Sequence, residues 1–228
     1  MGKVQVGLII AAVLASVIFP GQTEETAVAQ HSRRAISKSG RPAQDTRIVL
    51  VCFGDSLTAG YGAEPGHSYP DYLQKDLDQL HLRYRVVNEG VSGNTTKDGV
   101  SRLNQVLALK PAIVVVEFGG NDGLRGLPLS QTRANLDRIV GTLVKAGIQV
   151  AIAGITLPPQ YGADYIDQFN AMYVTLAKKY HVAMLPFLLQ NAYGGRGMIQ
   201  ADGIHPTSKG NEVVARNVLN LLRPMLKK

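Results

Sequence analysis

The chain reads as an α/β protein, a three-layer α/β/α sandwich built on a five-stranded parallel sheet. Two observations predict this class. Five short apolar runs of strand length recur along the chain, and longer stretches with helical spacing lie between them. Strands that alternate with helices pair in parallel, because each strand-helix-strand unit needs a right-handed crossover, and such a sheet carries helices on both faces. A third observation supports it. Ligands in such sheets bind at the carboxyl ends of the strands, and polar, glycine-rich clusters stand just after the apolar runs.

The first run, Ile48 to Phe53, is rich in β-branched residues; the second, Val86-Val87, is weaker. Ala112 to Phe118, Gln149 to Ile155 and Val182 to Phe187 complete the set. Leu136, Ile139, Val140, Leu143 and Val144 follow the spacing of one helical face, and Gly147 ends that helix. Ile166, Phe169, Tyr173, Leu176 and Ala177 repeat the pattern. Val214, Val218, Leu221, Leu222 and Met225 form the last apolar face. No internal repeat is visible.

With 228 residues, 45% hydrophobic and 18% charged, the chain can bury one sizeable core, which excludes a disordered protein. The folded domain is expected over residues 47–228. Residues 1–29 read as a secretory signal peptide. Met1-Gly2-Lys3 is a basic start, Val4 to Phe19 is almost wholly apolar, and Ala27-Val28-Ala29 offers a cleavage site. An uncleaved membrane anchor is the alternative, but the apolar run is short for a span of about 20 residues. No cysteine follows it closely, which argues against a lipoprotein anchor. The expected location is therefore periplasmic or secreted.

The net charge is +7. Much of it lies in the segment from Gln30 to Arg47, where Arg33, Arg34, Lys38, Arg41 and Arg47 stand against Asp45. Residues 30–46 read as a flexible basic leader, either without a partner or in peripheral contact with anionic lipid headgroups or cell-wall polymers. No aromatic residues interleave with these charges, so nucleic acid is excluded as a partner. Cys52 is the one cysteine. It cannot form an internal disulfide and reads as a buried thiol.

Gly54-Asp55-Ser56-Leu57 follows the first strand, Gly90 to Asn94 the second, Gly119 to Asp122 the third, and Leu157-Pro158-Pro159 the fourth. Asp202 to Pro206 precedes the last helix. Ser56 stands where a strand stops, which points its hydroxyl into the cleft. A serine hydroxyl needs a base to become a nucleophile. His205 is the best placed, with Asp202 three residues before it to hold the imidazole tautomer. His31 lies in the leader, His81 and His181 at helix ends, and His67 is the competitor.

A developing oxyanion needs donors. The candidates are the N–H groups of Ser56 and Gly93 and the side-chain amide of Asn121. Singly, Ser56 reads as a helix cap, Asn121 as a turn residue, Asp202 as a turn cap and His205 as a surface residue. Together, at one sheet edge and in the order Ser, Asp, His, they point to acyl transfer. A phosphate-binding loop, a Gly-x-Ser-x-Gly elbow and metal-ligand spacing are all absent from the sequence.

Phe53-Gly-Asp-Ser-Leu57, Gly90-Val-Ser-Gly-Asn94, Gly119-Gly-Asn-Asp122 and Asp202-Gly-Ile-His-Pro206 resemble the four sequence blocks of the SGNH, or GDSL, hydrolases. Within that family, VVNEGVSGNTTKDGVSRL, VVVEFGGNDGLRGLP and LPPQYGADY look most like the bacterial periplasmic arylesterase, acyl-CoA thioesterase and lysophospholipase group. The resemblance runs from about Ile48 to the C-terminus and leaves the basic leader out.

The resemblance implies a flavodoxin-like strand order 2-1-3-4-5, no cofactor and no metal. It places the nucleophile on Ser56, the acid and base on Asp202 and His205, and the oxyanion donors on Ser56, Gly93 and Asn121. It sets the loop from Thr156 to Gly162 beside an acyl groove, which makes Thr156, Leu157, Pro158, Pro159 and Tyr161 the expected substrate contacts. The expected protein is a monomer that hydrolyses small-molecule acyl esters or lipids, among them aryl esters, lysophospholipids and acyl-CoA. Related members deacetylate sugars, but the chain has no Trp and only 6% aromatic residues, so a glycan platform is not evident. A non-enzymatic flavodoxin-like binding module would leave Asp202 and His205 unexplained.

Overall fold

A computed structural model describes residues 45–227. The signal-peptide reading and nearly all of the basic leader lie outside the described residues. Strands β1 (Ile48–Gly54), β2 (Tyr84–Gly90), β3 (Ile113–Glu117), β4 (Gln149–Ala153) and β5 (Ala183–Leu185) form one parallel sheet in the order β2-β1-β3-β4-β5. That is the order the resemblance implies. The central strand β3 is buried at every position, as a continuous run of β-branched residues requires when helices cover both faces.

The edges explain where the sequence pattern is weakest. β2 is an edge strand, half-buried over most of its length, and it runs well beyond Val86-Val87 to include Arg85, Asn88 and Glu89. At β5 the structure is shorter than the Val182-to-Phe187 run. Pro186 lacks the N–H that would continue a ladder, and the strand stops at Leu185.

Seven helices are described: α1 (Ser56–Ala59), α2 (Tyr69–Gln79), α3 (Thr96–Ala108), α4 (Gly120–Leu124), α5 (Leu129–Lys145), α6 (Ala163–Tyr180) and α7 (Ser208–Leu222). α2 packs on α7, while α3 packs on α5 and α5 on α6, which gives the two outer layers. Ser68 with Asp71 and Thr95 with Asp98 form reciprocal capping boxes that start α2 and α3. Gly147, at φ +77°, follows the end of α5 as the spacing predicts. The core holds Leu50, Val114, Val116, Leu136, Phe169 and Val214, and the rings of Phe53 and Phe118 meet edge-to-face at 4.8 Å. Cys52 is fully buried, and burial pushes its thiol up to about 12.

Candidate active site

The turn after β1 sets the site. Asp55, not Ser56, caps α1: its carboxylate accepts from the Leu57 N–H at 3.1 Å. Ser56 is therefore the first helical residue. The turn is tight enough that a Cβ at Gly54 would strike Thr58 Oγ1 and the Glu117 carboxylate, and a Cβ at Gly90 would strike the Ala59 backbone. Arg102 ties the neighbouring strand ends together. It donates to the Gly54 carbonyl at 3.3 Å, to the Glu89 carbonyl at 3.3 Å and to Asn94 Oδ1 at 2.8 Å.

The segment before α7 folds back on itself. Ile199 bridges Pro206, the Gln200 N–H donates to the His205 carbonyl at 2.8 Å, and Gly203 turns the chain at φ +72°. Inside this turn Asp202 Oδ1 accepts from the Ile204 and His205 N–H groups at 2.9 and 3.0 Å. Its other oxygen lies 2.7 Å from His205 Nδ1, and His205 Nε2 lies 2.8 Å from Ser56 Oγ. Burial alone would raise the Asp202 carboxyl, but the hydrogen bonds from the Ile204 N–H and from His205 hold it below its ordinary value.

Two contacts that the sequence did not reveal join this turn to the Ser56 side. The Tyr61 ring lies 4.7 Å from the His205 ring, and Gln200 Nε2 donates to the Tyr61 carbonyl at 2.7 Å. The competing histidine is engaged elsewhere. His67 Nδ1 lies 2.7 Å from the Tyr72 hydroxyl.

Asn121 sits in α4 and faces the same cleft. Its Nδ2 group donates to Asp55 Oδ2 at 3.1 Å and to the Asn94 carbonyl at 3.0 Å. Both amide hydrogens thus have acceptors within the protein. Gly93 stands on the exposed turn 91–93 with φ +80°, and Arg125 donates to its carbonyl at 3.0 Å. Gly93 does not line the cavity beside Ser56.

That cavity holds about 400 Å³, with Ser56, Asn121 and His205 among its lining and a largely apolar interior. Thr156, Leu157, Pro158 and Pro159 form part of its wall. Tyr161 does not. Its hydroxyl donates to the Leu124 carbonyl at 2.9 Å and its ring stacks beside Tyr165 at 6.5 Å, so it braces the end of α4 from outside the cavity. Phe187, Leu189 and Tyr193 supply further wall from the segment between β5 and α7. That segment has no regular period, so its apolar residues carry no sequence signal of a shared wall.

A parallel sheet whose strand ends bring a hydroxyl, an imidazole and a carboxylate into series beside an apolar cavity belongs to an acyl hydrolase. Residues 52–213 match the GDSL-like lipase/acylhydrolase family, and the chain belongs to that family. It is similar to "Esterase TesA" of Pseudomonas aeruginosa, 41% identical over 179 residues that cover 78% of this chain and 89% of that protein. "Thioesterase 1/protease 1/lysophospholipase L1" of Escherichia coli is 36% identical over 185 residues, covering 81% of this chain and 86% of that one. The crystal structure of TesA superposes with a TM-score of 0.75, covering 78% of this chain and 99% of that chain at 41% identity. The protein is a carboxylic ester hydrolase.

Proposed function

We propose that the enzyme cleaves its esters through an acyl-enzyme on Ser56, with His205 as base and Asp202 as the group that orients it. The observation that carries this reading is the continuous series from Asp202 Oδ2 to His205 to Ser56 Oγ at 2.7 and 2.8 Å. Ser56 Oγ attacks the substrate carbonyl carbon and its proton passes to His205 Nε2. On this reading the donors to the oxyanion are the Ser56 N–H, the Asn121 amide and, from the neighbouring turn outside the cavity lining, the Gly93 N–H. His205 then gives the proton to the leaving oxygen or sulfur, and the ester or thioester bond breaks. Water attacks the Ser56 ester as His205 takes its proton; the acyl–Oγ bond then breaks, His205 returns the proton to Ser56 Oγ, and the acid leaves.

The natural substrates on this reading are medium-chain acyl esters and lysophospholipids. The apolar cavity beside Ser56 supports an acyl chain of some length. Each methylene buried there contributes up to about 0.8 kcal/mol, close to fourfold in preference. Four added carbons would favour a medium chain over acetate by up to roughly two-hundredfold in kcat/KM. Thioester cleavage belongs to the same chemistry. Export as the N-terminal sequence suggests would place the enzyme in the periplasm or outside the cell, where acyl-CoA is scarce and lysophospholipid is available. There the basic leader would touch anionic surfaces, and the enzyme would act as a monomer.

Rates across p-nitrophenyl esters from acetate to palmitate, with lysophosphatidylcholine, a long-chain acyl-CoA and an acetylated sugar alongside, test this. The expected optimum lies at about six carbons or more. Acetyl esters as the best substrates would overturn it in favour of sugar deacetylation.

A further inference from the structure

Beneath the Ser56 turn lies a buried polar cluster that the acyl-transfer chemistry does not itself use. Glu117 ends β3, fully buried, at the close of a run of apolar residues. A carboxyl there is costly unless it is hydrogen-bonded. Its register partner on β1 is Gly54, where a Cβ would collide with the Glu117 carboxylate, so glycine leaves the space that the acid occupies. Glu117 Oε2 accepts from the Asp55 N–H at 3.2 Å and from Thr58 Oγ1 at 2.8 Å. Thr58 Oγ1 in turn lies 3.1 Å from the Tyr69 hydroxyl. Glu117 Oε1 is equally buried and accepts from no donor.

We propose that Glu117 is a positioning residue: it holds Asp55, and through Asp55 the Asn121 amide, at the carboxyl ends of β1 and β3. The orphaned Oε1 is accounted for if it carries a proton, since a carboxylic acid O–H donates where a carboxylate cannot. The Asp55 carboxylate, whose own N–H binds Oε2, is the neighbouring charge that favours a proton on Glu117. Burial first, and the charge of Asp55 second, push Glu117 well above the usual carboxylate range, which keeps it in the acid form.

Burial also pushes Asp55 up to about 6, against the hydrogen bonds from Leu57, Glu117 and Asn121 and the nearby charge of His205. Above that pH, Asp55 is an anion held by the Leu57 N–H and the Asn121 amide, while its own N–H is anchored on Glu117 Oε2. Its bond to Asn121 is charge-assisted and therefore the stronger of the two that Asn121 makes. The weaker one, to the neutral Asn94 carbonyl, is the one that can be shared with an oxyanion. Glu117 touches neither substrate nor Ser56 Oγ; it acts by keeping the Asp55 anchor in place.

This rests on the reading of Asn121 as an oxyanion donor. The test compares steady-state kinetics of wild type, Glu117→Gln, Glu117→Met and Asn121→Ala on p-nitrophenyl butyrate, with thermal unfolding to check the fold. Gln keeps one acceptor and one donor in neutral form, so Glu117→Gln should stay within about twofold of wild-type kcat. Glu117→Met fills the space without a hydrogen bond and should lower kcat by about tenfold or more at unchanged KM. Infrared spectra at about pH 8 should show a carboxylic-acid C=O band in wild type that Glu117→Gln lacks. Wild-type kcat in Glu117→Met, a Gln variant as impaired as the Met variant, or no acid band would overturn the inference. If the Met variant does not fold, the band and the Gln kinetics decide. Wild-type kcat in Asn121→Ala would instead overturn the oxyanion reading beneath it.

Discussion

His205 Nε2 lies 2.8 Å from Ser56 Oγ although 149 residues separate the two in the chain. That contact predicts a covalent intermediate on Ser56. Ser56→Ala should abolish ester hydrolysis while the thermal transition stays near that of wild type, since a half-buried hydroxyl is all that is lost. A fluorophosphonate probe, read by mass spectrometry of the labelled peptide, should attach to Ser56 alone.

The same geometry separates two histidines. His205→Ala should lose most of the rate. His67→Ala should keep it, because His67 is hydrogen-bonded to Tyr72. A dead His67→Ala variant would move the base assignment.

Removing one oxyanion donor should act on kcat. Asn121→Ala is expected to lower it by about 10²–10³ with little change in KM. An effect on KM alone would make Asn121 a substrate-positioning group.

Chain-length selectivity should respond to the cavity wall and not to its outer brace. Leu157 lines the cavity and packs closely against Gly123. Leu157→Ala should therefore shift the acyl-length optimum. Tyr161→Phe should leave the length profile as it is and cost about 1 kcal/mol of stability, the worth of its single hydrogen bond to Leu124. Rates across the p-nitrophenyl ester series and urea unfolding of the two variants give both answers.

Stability should depend on pH through Glu117. Its folded pKa is raised and its unfolded value is ordinary, so the folded state binds the extra proton between them. Stability from this group is therefore fully present below the unfolded value and falls as pH rises toward the folded one, by up to about 1.4 kcal/mol per pH unit. Asp55, raised to about 6, adds to the same fall over the lower part of that window. Tyr69, Tyr173 and Cys52, the other titratable groups around this carboxyl, are all pushed up by burial and stay neutral there. Glu117→Gln binds no such proton. Its melting temperature relative to wild type should climb from about pH 5 to about pH 8; a constant difference would mean that Glu117 is ionised in the folded protein.

Much of the fold was legible in the sequence because burial on both faces leaves a strong mark. A parallel strand covered by helices must be apolar throughout, and Ile48 to Phe53 and Ala112 to Phe118 show it. The capped, one-faced helix α5 and the glycine-rich turns after the strands are equally local signals, since cap and turn chemistry acts over a few residues. Asp202 and His205 belong to this class too: three residues apart in one turn, they could be paired from spacing alone.

Other features depended on which distant segments the folded chain brings together. The edge strand β2 hides its length because one side of it needs no apolar residue. Tyr161 stands in the loop expected to contact substrate, yet its ring turns away to Tyr165 and its hydroxyl to Leu124. Phe187, Leu189 and Tyr193 join the cavity from an aperiodic segment. Glu117 reads as one acid at the end of an apolar run until Gly54 is found beside it in the sheet. The sequence by itself determined the sheet, its covering helices and the residue types at the strand ends, because periodicity and turn chemistry are local. Only the tertiary structure decided which wall faces the Ser56 hydroxyl and which acid lies beneath it, because register and packing join residues that the chain keeps far apart.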